Sequence, residues 1–175
     1  MKAFVCLYVL LSSSFASGAT NKLPTSDLKN SSEYLAAHNK YRIQKHIAPL
    51  KWSDDLAEYA KKWSEHLAST AGGCQLYHSK GGFGENIAMR MSTRILKPTE
   101  VVEMWASERH DYNYRKNACK AGKVCGHWTQ MVWANTTELG CGMAICLNPP
   151  KPWKQVSIYT CSYKKPGNWK GHWPY

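Results

Sequence analysis

The sequence has few acidic residues, no long apolar run and no internal repeat. Its Asp and Glu residues number 12 against 23 Lys and Arg residues, which gives a formal net charge of +11. Such a charge predicts attraction to polyanions such as cell-wall pectate or anionic lipid headgroups. The Lys and Arg residues are spread along the chain, so a generally solvated basic surface is the competing interpretation. The apolar run Ala3–Leu11 is far shorter than the roughly 20 residues that a membrane-spanning helix needs, so we expect no membrane-spanning helix.

The sequence also lacks the short motifs of several catalytic and metal-binding classes. Neither the H-E-x-x-H motif of zinc proteases nor the G-x-S-x-G turn of serine hydrolases occurs. No C-x-x-C pair occurs either, which argues against a zinc site built from thiolates. A peptidase would therefore have to use Glu and His side chains alone, and this is the alternative to a protein that only binds.

The N-terminal residues are typical of a secretory signal. Met1-Lys2 precedes the apolar run, and small residues dominate 12–19. We expect removal of residues 1–19, a short polar lead over 20–30, and an exported, soluble protein. Removal of Cys6 leaves six cysteines, an even number that predicts disulfides in an oxidising compartment, although spacing alone leaves their pairing open.

Capping residues and apolar periodicity predict helices in the first part of the chain. Residues 33–44 form the first predicted helix, capped by Ser31 or Ser32. Ser53 is the predicted N-cap of a second helix that Gly72-Gly73 is expected to end, and a third helix begins near Pro98. The apolar residues of the second helix recur at helical spacing and are Leu56, Ala60, Trp63 and Leu67.

The third helix carries a carboxylate in line with two core residues. Val101, Trp105 and Glu108 fall on one predicted face. Because carboxylates are seldom buried alone, we expect Glu108 to meet a donor, a cation or a water-filled pocket. A short helix is predicted at 127–133, where Gln130 either bonds within a cleft or faces the core.

The last third of the chain predicts strands. Residues 141–146 and 156–163 are rich in apolar and β-forming side chains, and the proline-rich segment 148–152 suits a hairpin connection between them. The tail from Pro166 is punctuated by glycine and proline, which predicts an irregular surface segment. Helices followed by late strands indicate the α+β fold class.

The stretch Cys125–Cys141 reads CGHWTQMVWANTTELGC and concentrates cysteine, histidine and tryptophan. It resembles the signature of the CAP superfamily, and specifically of the pathogenesis-related class 1 proteins of plants. This resemblance implies a three-layer α-β-α sandwich over residues 31–175, stapled by disulfides. The implied pairs are Cys74 with Cys146, Cys119 with Cys125, and Cys141 with Cys161.

Four positions match the polar cleft of that family. His78 matches the family's H-S, Glu85 its G-E-N, Glu108 its W-x-x-E and His127 its G-H-x-T-Q. The resemblance implies that the four side chains line one cleft, where His78 and His127 could hold a divalent cation such as zinc. The competing interpretation is a buried polar network without turnover, and no cofactor is required by either.

The resemblance further implies a lipid-binding role for the loop that carries Tyr112 and Tyr114. We therefore expect a secreted, apoplastic plant defence protein that acts against fungi or oomycetes by binding sterol or another lipid. Cell-wall polyanions and pathogen membranes are the further expected partners, nucleic acid is not, and the chain is expected to be a monomer. An animal toxin or allergen-like protein is the remaining alternative. Sequons at Asn30 and Asn135 predict glycosylation.

Overall fold

The computed structural model describes residues 25–70 and 74–175. The predicted signal at 1–19 lies outside the described residues, as does the Gly72-Gly73 pair expected to end the second helix.

The helices occupy the predicted segments with one early start. Helix α1 spans Thr25–Gln44, α2 Asp54–Ala68, α3 Pro98–Ala106 and α4 Gly126–Met131. Ser53 caps α2 as predicted, since its side chain accepts a hydrogen bond from the amide of Leu56 at 3.3 Å. The prediction that Ser31 or Ser32 caps α1 is wrong: no glycine or proline separates Thr25 from these serines, so the helix extends upstream through them.

The described residues contain the strands β1 (Lys51–Trp52), β2 (Gly84–Met91), β3 (Tyr112–Asn113), β4 (Ala118–Cys119), β5 (Glu138–Ile145) and β6 (Val156–Lys164). Four of them form one sheet in the order β1-β5-β6-β2, and a separate hairpin pairs β3 with β4. The predicted pair of late strands is confirmed as an antiparallel β5–β6 hairpin. Strand β2, which pairs antiparallel with β6, was not predicted.

Helices cover both faces of the sheet, which confirms the three-layer α-β-α sandwich. Helix α2 lies so close to β5 that a Cβ on Gly140 would sit 2.1 Å from the amide nitrogen of Ala57, and one on Gly142 would sit 2.5 Å from Lys61. On the other face, α1, α3 and α4 enclose the main core, which includes Trp105, Trp128, Leu139, Tyr159 and Tyr163. In residues 25–70 and 74–175, no helix has the length and apolar content that a membrane crossing needs.

The described cysteines form the three implied disulfides. They are Cys74–Cys146, Cys119–Cys125 and Cys141–Cys161. Cys119–Cys125 joins β4 to the start of α4, while Cys141–Cys161 links the paired strands β5 and β6. These two disulfides therefore anchor both ends of the stretch Cys125–Cys141.

Arg42 of α1 ties the segment after α4 to the domain. Its guanidinium is fully buried and donates to the carbonyls of Met131, Trp133 and Thr136 at 3.1, 2.9 and 2.9 Å. Burial lowers the pKa of Arg42 to about 10, which leaves it charged at neutral pH. The positive charge is thus satisfied by backbone oxygens, which hold the turn that follows α4 in place.

The tail from Pro166 is irregular, as predicted, and it packs on α4. The sequence left open whether Gln130 bonds within a cleft or faces the core. Gln130 is buried and faces the core. Its Oε1 accepts from the amide of Gly167 at 2.8 Å and its Nε2 donates to Thr136 at 3.2 Å. A Cβ on Gly167 would sit 2.7 Å from the indole of Trp133, so only glycine fits this close approach.

Candidate functional site

The first predicted pair lies at the beginning of β2. His78 Nδ1 donates to Glu85 Oε1 at 2.7 Å, and the same oxygen accepts from the amide of Ser79 at 3.0 Å. The carboxylate is inside and the imidazole outside, since the Glu85 side chain is 5% exposed and the His78 side chain 62%. The hydrogen bond to Glu85 raises the pKa of His78 above its ordinary value, against a smaller opposing effect of burial.

The second predicted pair is more enclosed. His127 Nδ1 donates to Glu108 Oε1 at 2.6 Å, while Glu108 Oε2 accepts from the amides of His127 and Trp128 at 3.0 and 3.2 Å. The ring of Trp105 stacks on the imidazole with centroids 6.0 Å apart and planes at 18°. The expectation that Glu108 meets donors is therefore met by the start of α4 itself.

The structure differs from the sequence prediction in where Glu108 lies. Helix α3 ends at Ala106, and Glu108 belongs to a 3-10 turn over Ser107–His110. Val101 and Trp105 are buried as core residues of α3, but Glu108 does not continue their helical face. The tighter turn redirects the carboxylate toward the amides at the N-terminal end of α4.

Strand β2 connects the two pairs. Asn86 follows Glu85 in the strand, and its Nδ2 donates to the carbonyl of His127 at 3.1 Å. Successive side chains of a strand point to opposite faces, so Glu85 and Asn86 serve different sides of the sheet. In residues 25–70 and 74–175, no group of three or more His, Cys, Asp or Glu side chains has the geometry of a metal site. The four predicted residues thus form two neighbouring pairs.

Both pairs have the arrangement in which carboxylates orient histidine ligands. Each imidazole uses Nδ1 for its glutamate, which leaves Nε2 as the nitrogen for a cation or a proton. Oε2 of Glu85 is buried, and within the described residues it has no hydrogen-bond partner. A buried carboxylate oxygen without a donor is costly, so this atom favours a bound cation or proton nearby. A divalent ion held there would have two imidazole nitrogens as protein ligands, and water would have to complete its coordination.

A buried network behind the cleft was missed by sequence reasoning. Asn86 Nδ2 also donates to the hydroxyl of Tyr163 at 3.1 Å, and that hydroxyl lies 2.8 Å from His38 Nε2. His38 Nδ1 is 2.8 Å from the carbonyl of Tyr34, so Nδ1 carries the proton and Nε2 accepts from Tyr163. The signal for this network lay in the polar residues of α1, which the periodicity of that helix does not separate from surface residues.

Burial sets the protonation of this network. It lowers the pKa of His38 to about 4, and the neighbouring positive charge of Arg42 adds to this effect while the hydrogen bond to Tyr34 opposes it. Burial also raises the pKa of Tyr163 well above its ordinary value. Both groups are therefore neutral at physiological pH, as a closed network in a core requires.

The predicted lipid-binding tyrosines lie on the small hairpin. Tyr112 is half-buried in β3 and donates from its hydroxyl to Asn117 at 2.7 Å, and burial raises its pKa to about 12. Tyr114 is exposed and stacks on Tyr175 of the tail with ring centroids 4.7 Å apart. Tyr112 lines an open cavity of about 380 Å³. The other lining residues include Asn117, Ala118, Thr129, Trp133, Asn168, Trp169 and His172.

Both predicted glycosylation asparagines are exposed. Asn30 lies within α1, and Asn135 lies in the turn between α4 and β5. The structure thus leaves both accessible, and glycan attachment stays a prediction.

Comparison of the sequence with known proteins identifies the family. The sequence model of the CAP family, described as the cysteine-rich secretory protein family, matches residues 35–163. The chain is 43% identical to pathogenesis-related leaf protein 4 of Solanum lycopersicum, over 82% of this chain and 82% of that protein. It is 38% identical to pathogenesis-related protein 1A of Nicotiana tabacum over 82% and 79% of the two chains. With pathogenesis-related protein PRMS of Zea mays it shares 36% identity over the full length of both.

Solved structures show the same fold at low sequence identity. Na-ASP-1 superposes with a TM-score of 0.66 at 19% identity, covering 83% of this chain, which spans 41% of that protein. NaASP2, crystallised with Zn²⁺, gives a TM-score of 0.61 at 20% identity, with 84% and 85% of the two chains covered. Together with the disulfide frame and the match over residues 35–163, these relatives show that the chain belongs to the CAP family and that it is a CAP protein of the pathogenesis-related type.

Proposed function

We propose that the chain is a secreted plant defence protein of the pathogenesis-related 1 type that acts on fungi or oomycetes by binding sterol or another lipid. The observation that carries this proposal is the cavity of about 380 Å³ beside the tyrosine hairpin. Its volume lies at the lower end of the range of about 300–1,000 Å³ that is usual for small-molecule sites. The indoles of Trp133 and Trp169 and the ring of Tyr112 supply apolar walls for a rigid ring system.

Polar groups in the lining suit the single hydroxyl of a sterol. Asn117, Thr129 and Asn168 line the cavity. Each asparagine amide donates one hydrogen within the protein, to the carbonyls of His172 and Gly126, and its second N–H is the group for a ligand. A mostly apolar ligand with one polar end is the class that such a lining recognises.

The binding proposal is tested with sterol in solution, without a bilayer. Cyclodextrin-solubilised, labelled ergosterol is expected to bind the purified protein saturably. Ala118→Trp should abolish binding, because the added indole fills the cavity that Ala118 lines, whereas the exposed neighbour Ala121 lies outside the lining and Ala121→Trp should bind normally. Absence of saturable binding to the parent protein contradicts the mechanism.

The defence role has its own measurement. The protein should slow the growth of a sterol-containing fungus or of a sterol-requiring oomycete, and added free ergosterol should restore growth. Growth inhibition that free sterol does not relieve would separate the antimicrobial role from sterol binding.

A divalent cation in the His–Glu cleft is the second candidate activity, favoured by the buried, unpartnered Oε2 of Glu85. His78 and His127 would hold the ion through their Nε2 atoms, and zinc would supply positive charge and Lewis acidity there. Calorimetric titration with zinc should give a metal-linked heat for the parent and less for His78→Ala and His127→Ala. Equal heats for all three proteins would dismiss the site.

We expect the protein to act by binding without turnover. The alternative of a Glu/His peptidase is tested by incubating the protein with a diverse peptide library and reading the products by mass spectrometry. Cleaved peptides that disappear with Glu108→Gln would establish the peptidase instead. Export to the apoplast is tested by sequencing the N-terminus of the protein recovered outside the cell, which should begin near residue 20.

A further inference from the structure

The β3–β4 hairpin and the C-terminal tail form one continuous surface, which we call the hairpin–tail face. It consists of residues 112–125 and 166–175. Asn117 Nδ2 donates to the carbonyl of His172 at 2.9 Å, which ties the hairpin to the tail. The stacked rings of Tyr114 and Tyr175 make a second tie. The hairpin and the tail therefore lie side by side at the surface of the protein.

The hairpin–tail face has strong positive charge and almost no acidic residue. Asp111 is the one acidic residue between positions 109 and 137, and none occurs from 165 to 175. The exposed cations of the face are Arg115, Lys116, Lys120, Lys123 and Lys170. Lys120 pairs with Asp111 at 3.1 Å, and no ion pair within the described residues neutralises the other four. The charge is thus available to an anionic partner.

Large apolar side chains lie among these cations. Trp169, Trp173 and Val124 are 59%, 51% and 63% exposed. Both indole nitrogens already donate within the protein, Trp169 to the carbonyl of Pro166 at 3.0 Å and Trp173 to that of Tyr114 at 2.9 Å. These indoles therefore offer ring carbon atoms, and no free N–H, to a partner. Tryptophan flanked by lysine is the composition found where proteins meet the headgroup region of a bilayer.

We infer that the hairpin–tail face docks on a bilayer rich in anionic phospholipid. The cations would meet the lipid headgroups, and the indoles with Val124 would enter the boundary of the acyl chains. The inference rests on the proposed lipid-binding function, because Trp169 belongs both to this face and to the cavity wall, so a lipid could pass from the membrane into the cavity.

A bilayer suits this face better than an acidic polysaccharide does. The free cations can meet the carboxylates of a polysaccharide as well as the phosphates of lipid, so the apolar side chains decide between the two partners. The indole N–H groups already donate inside the protein and are not free for sugar hydroxyl groups. Val124 offers neither a hydrogen bond nor a stacking plane, yet it is among the most exposed apolar side chains of the molecule. An aliphatic group in that position gains free energy from hydrocarbon.

The test uses sterol-free vesicles and a matched pair of variants. The chain contains two exposed Trp-Lys dipeptides, Trp169-Lys170 on the face and Trp153-Lys154 on the β5–β6 connection. The parent should co-sediment with phosphatidylcholine vesicles that contain phosphatidylserine and not with pure phosphatidylcholine, and binding should weaken as salt rises. The double variant W169A/K170Q should lose at least about tenfold in partition, since one lysine alone accounts for about fivefold. The double variant W153A/K154Q should stay within about twofold of the parent.

Several outcomes would overturn the inference. They are no binding of the parent to anionic vesicles, equal losses in the two double variants, or capture by polygalacturonate beads without vesicle binding, which would make the face a polysaccharide surface. Circular dichroism of both variants checks that the fold is retained. Lys116→Gln with Lys123→Gln provides a second double variant on the same face that leaves the tail contacts intact, and its partition to anionic vesicles should fall about 25-fold.

The result is separable from that of the sterol experiment. Vesicle binding without uptake of cyclodextrin-solubilised ergosterol would leave the docking face standing and remove sterol as the ligand. Sterol uptake without vesicle binding would do the reverse.

Discussion

Glu85 and Asn86 are consecutive residues of β2, and their side chains lie on opposite sides of the sheet. They differ in how completely their polar atoms are hydrogen-bonded. Both donor hydrogens of the Asn86 amide are used, one by the carbonyl of His127 and one by the hydroxyl of Tyr163. Glu85 satisfies one carboxylate oxygen and leaves the other buried without a partner among the described residues. A complete network holds a core in one arrangement, whereas an incomplete one marks a place where a cation or proton can bind.

The largest expected effect follows from a substitution in the fully hydrogen-bonded network around Asn86. Asn86→Asp keeps the shape of the side chain but places a buried carboxylate against two oxygen atoms, so the free energy of unfolding should fall by about 3 to 5 kcal/mol. Guanidinium unfolding with the disulfides intact measures this change. Glu85→Gln is the control next to it in the strand and should cost about 1 kcal/mol or less. Equal losses in the two variants would remove the distinction between the two sides.

The same network predicts a loss of stability in acid. His38 has a pKa of about 4 in the folded protein and an ordinary value of 6.5 when unfolded. The unfolded chain therefore gains a proton first as the pH falls, and folding should lose about 3 kcal/mol between pH 6.5 and pH 4. His38→Gln should flatten this dependence relative to the parent, while His110→Gln, at an exposed position, should leave it unchanged. If the stability of the parent is constant between pH 6.5 and pH 4, the conclusion that His38 is buried in its neutral form is wrong.

On the incomplete side, the expected effect is on zinc affinity. Glu85→Gln retains an acceptor for His78 Nδ1 but removes the negative charge that orients and strengthens the ligand, so zinc affinity should fall roughly tenfold. Titration calorimetry gives this number. The matched control is Glu103→Gln, since Glu103 pairs with Lys40 on α1 and lies outside the cleft pairs. An unchanged affinity in Glu85→Gln would place the ion elsewhere.

The smallest effect is a shift in one titration. The pKa of His78 is raised in the folded protein, so the stability contributed by its pair with Glu85 is present below pH 6.5 and is lost as the pH rises through the folded pKa. In Glu85→Gln, the pKa of His78 should move down toward 6.5, as followed by NMR. The pKa of His78 is raised and that of His38 is lowered, and these opposite shifts distinguish a paired, exposed imidazole from a buried, neutral one.

Local sequence signals were sufficient for the elements whose causes are local. Helix α2 could be predicted because its cap and its apolar stripe lie within the helix itself. The β5–β6 hairpin could be predicted from two apolar runs and a proline-rich connection. The start of α1 could not, since Ser31 and Ser32 are good caps that also fit inside a helix.

Pairings between distant segments were beyond local reasoning. Strand β2 begins at the last of the glycine-rich residues 81–84, and its partner β6 lies far along the chain. The parallel pairing of β1 with β5 is equally remote. For the cleft, the glycines among residues 81–84 suggest a tight turn that can bring His78 and Glu85 to the same space, and only the family resemblance places Glu108 and His127 in the same cleft. The division into two pairs comes from the structure. Nothing in the pattern of α1 distinguished the buried His38 from an exposed residue.

The close seat of α2 on β5 has a consequence for how this domain can vary. Because the positions above Gly140 and Gly142 are occupied by the backbone of α2, the spacing between helix and sheet is set by two missing side chains. A scan of every substitution should find these glycines as intolerant as the bridged cysteines. Any side chain at either glycine would push α2 away from β5, so the contact between helix and sheet cannot be kept with a larger residue at these positions.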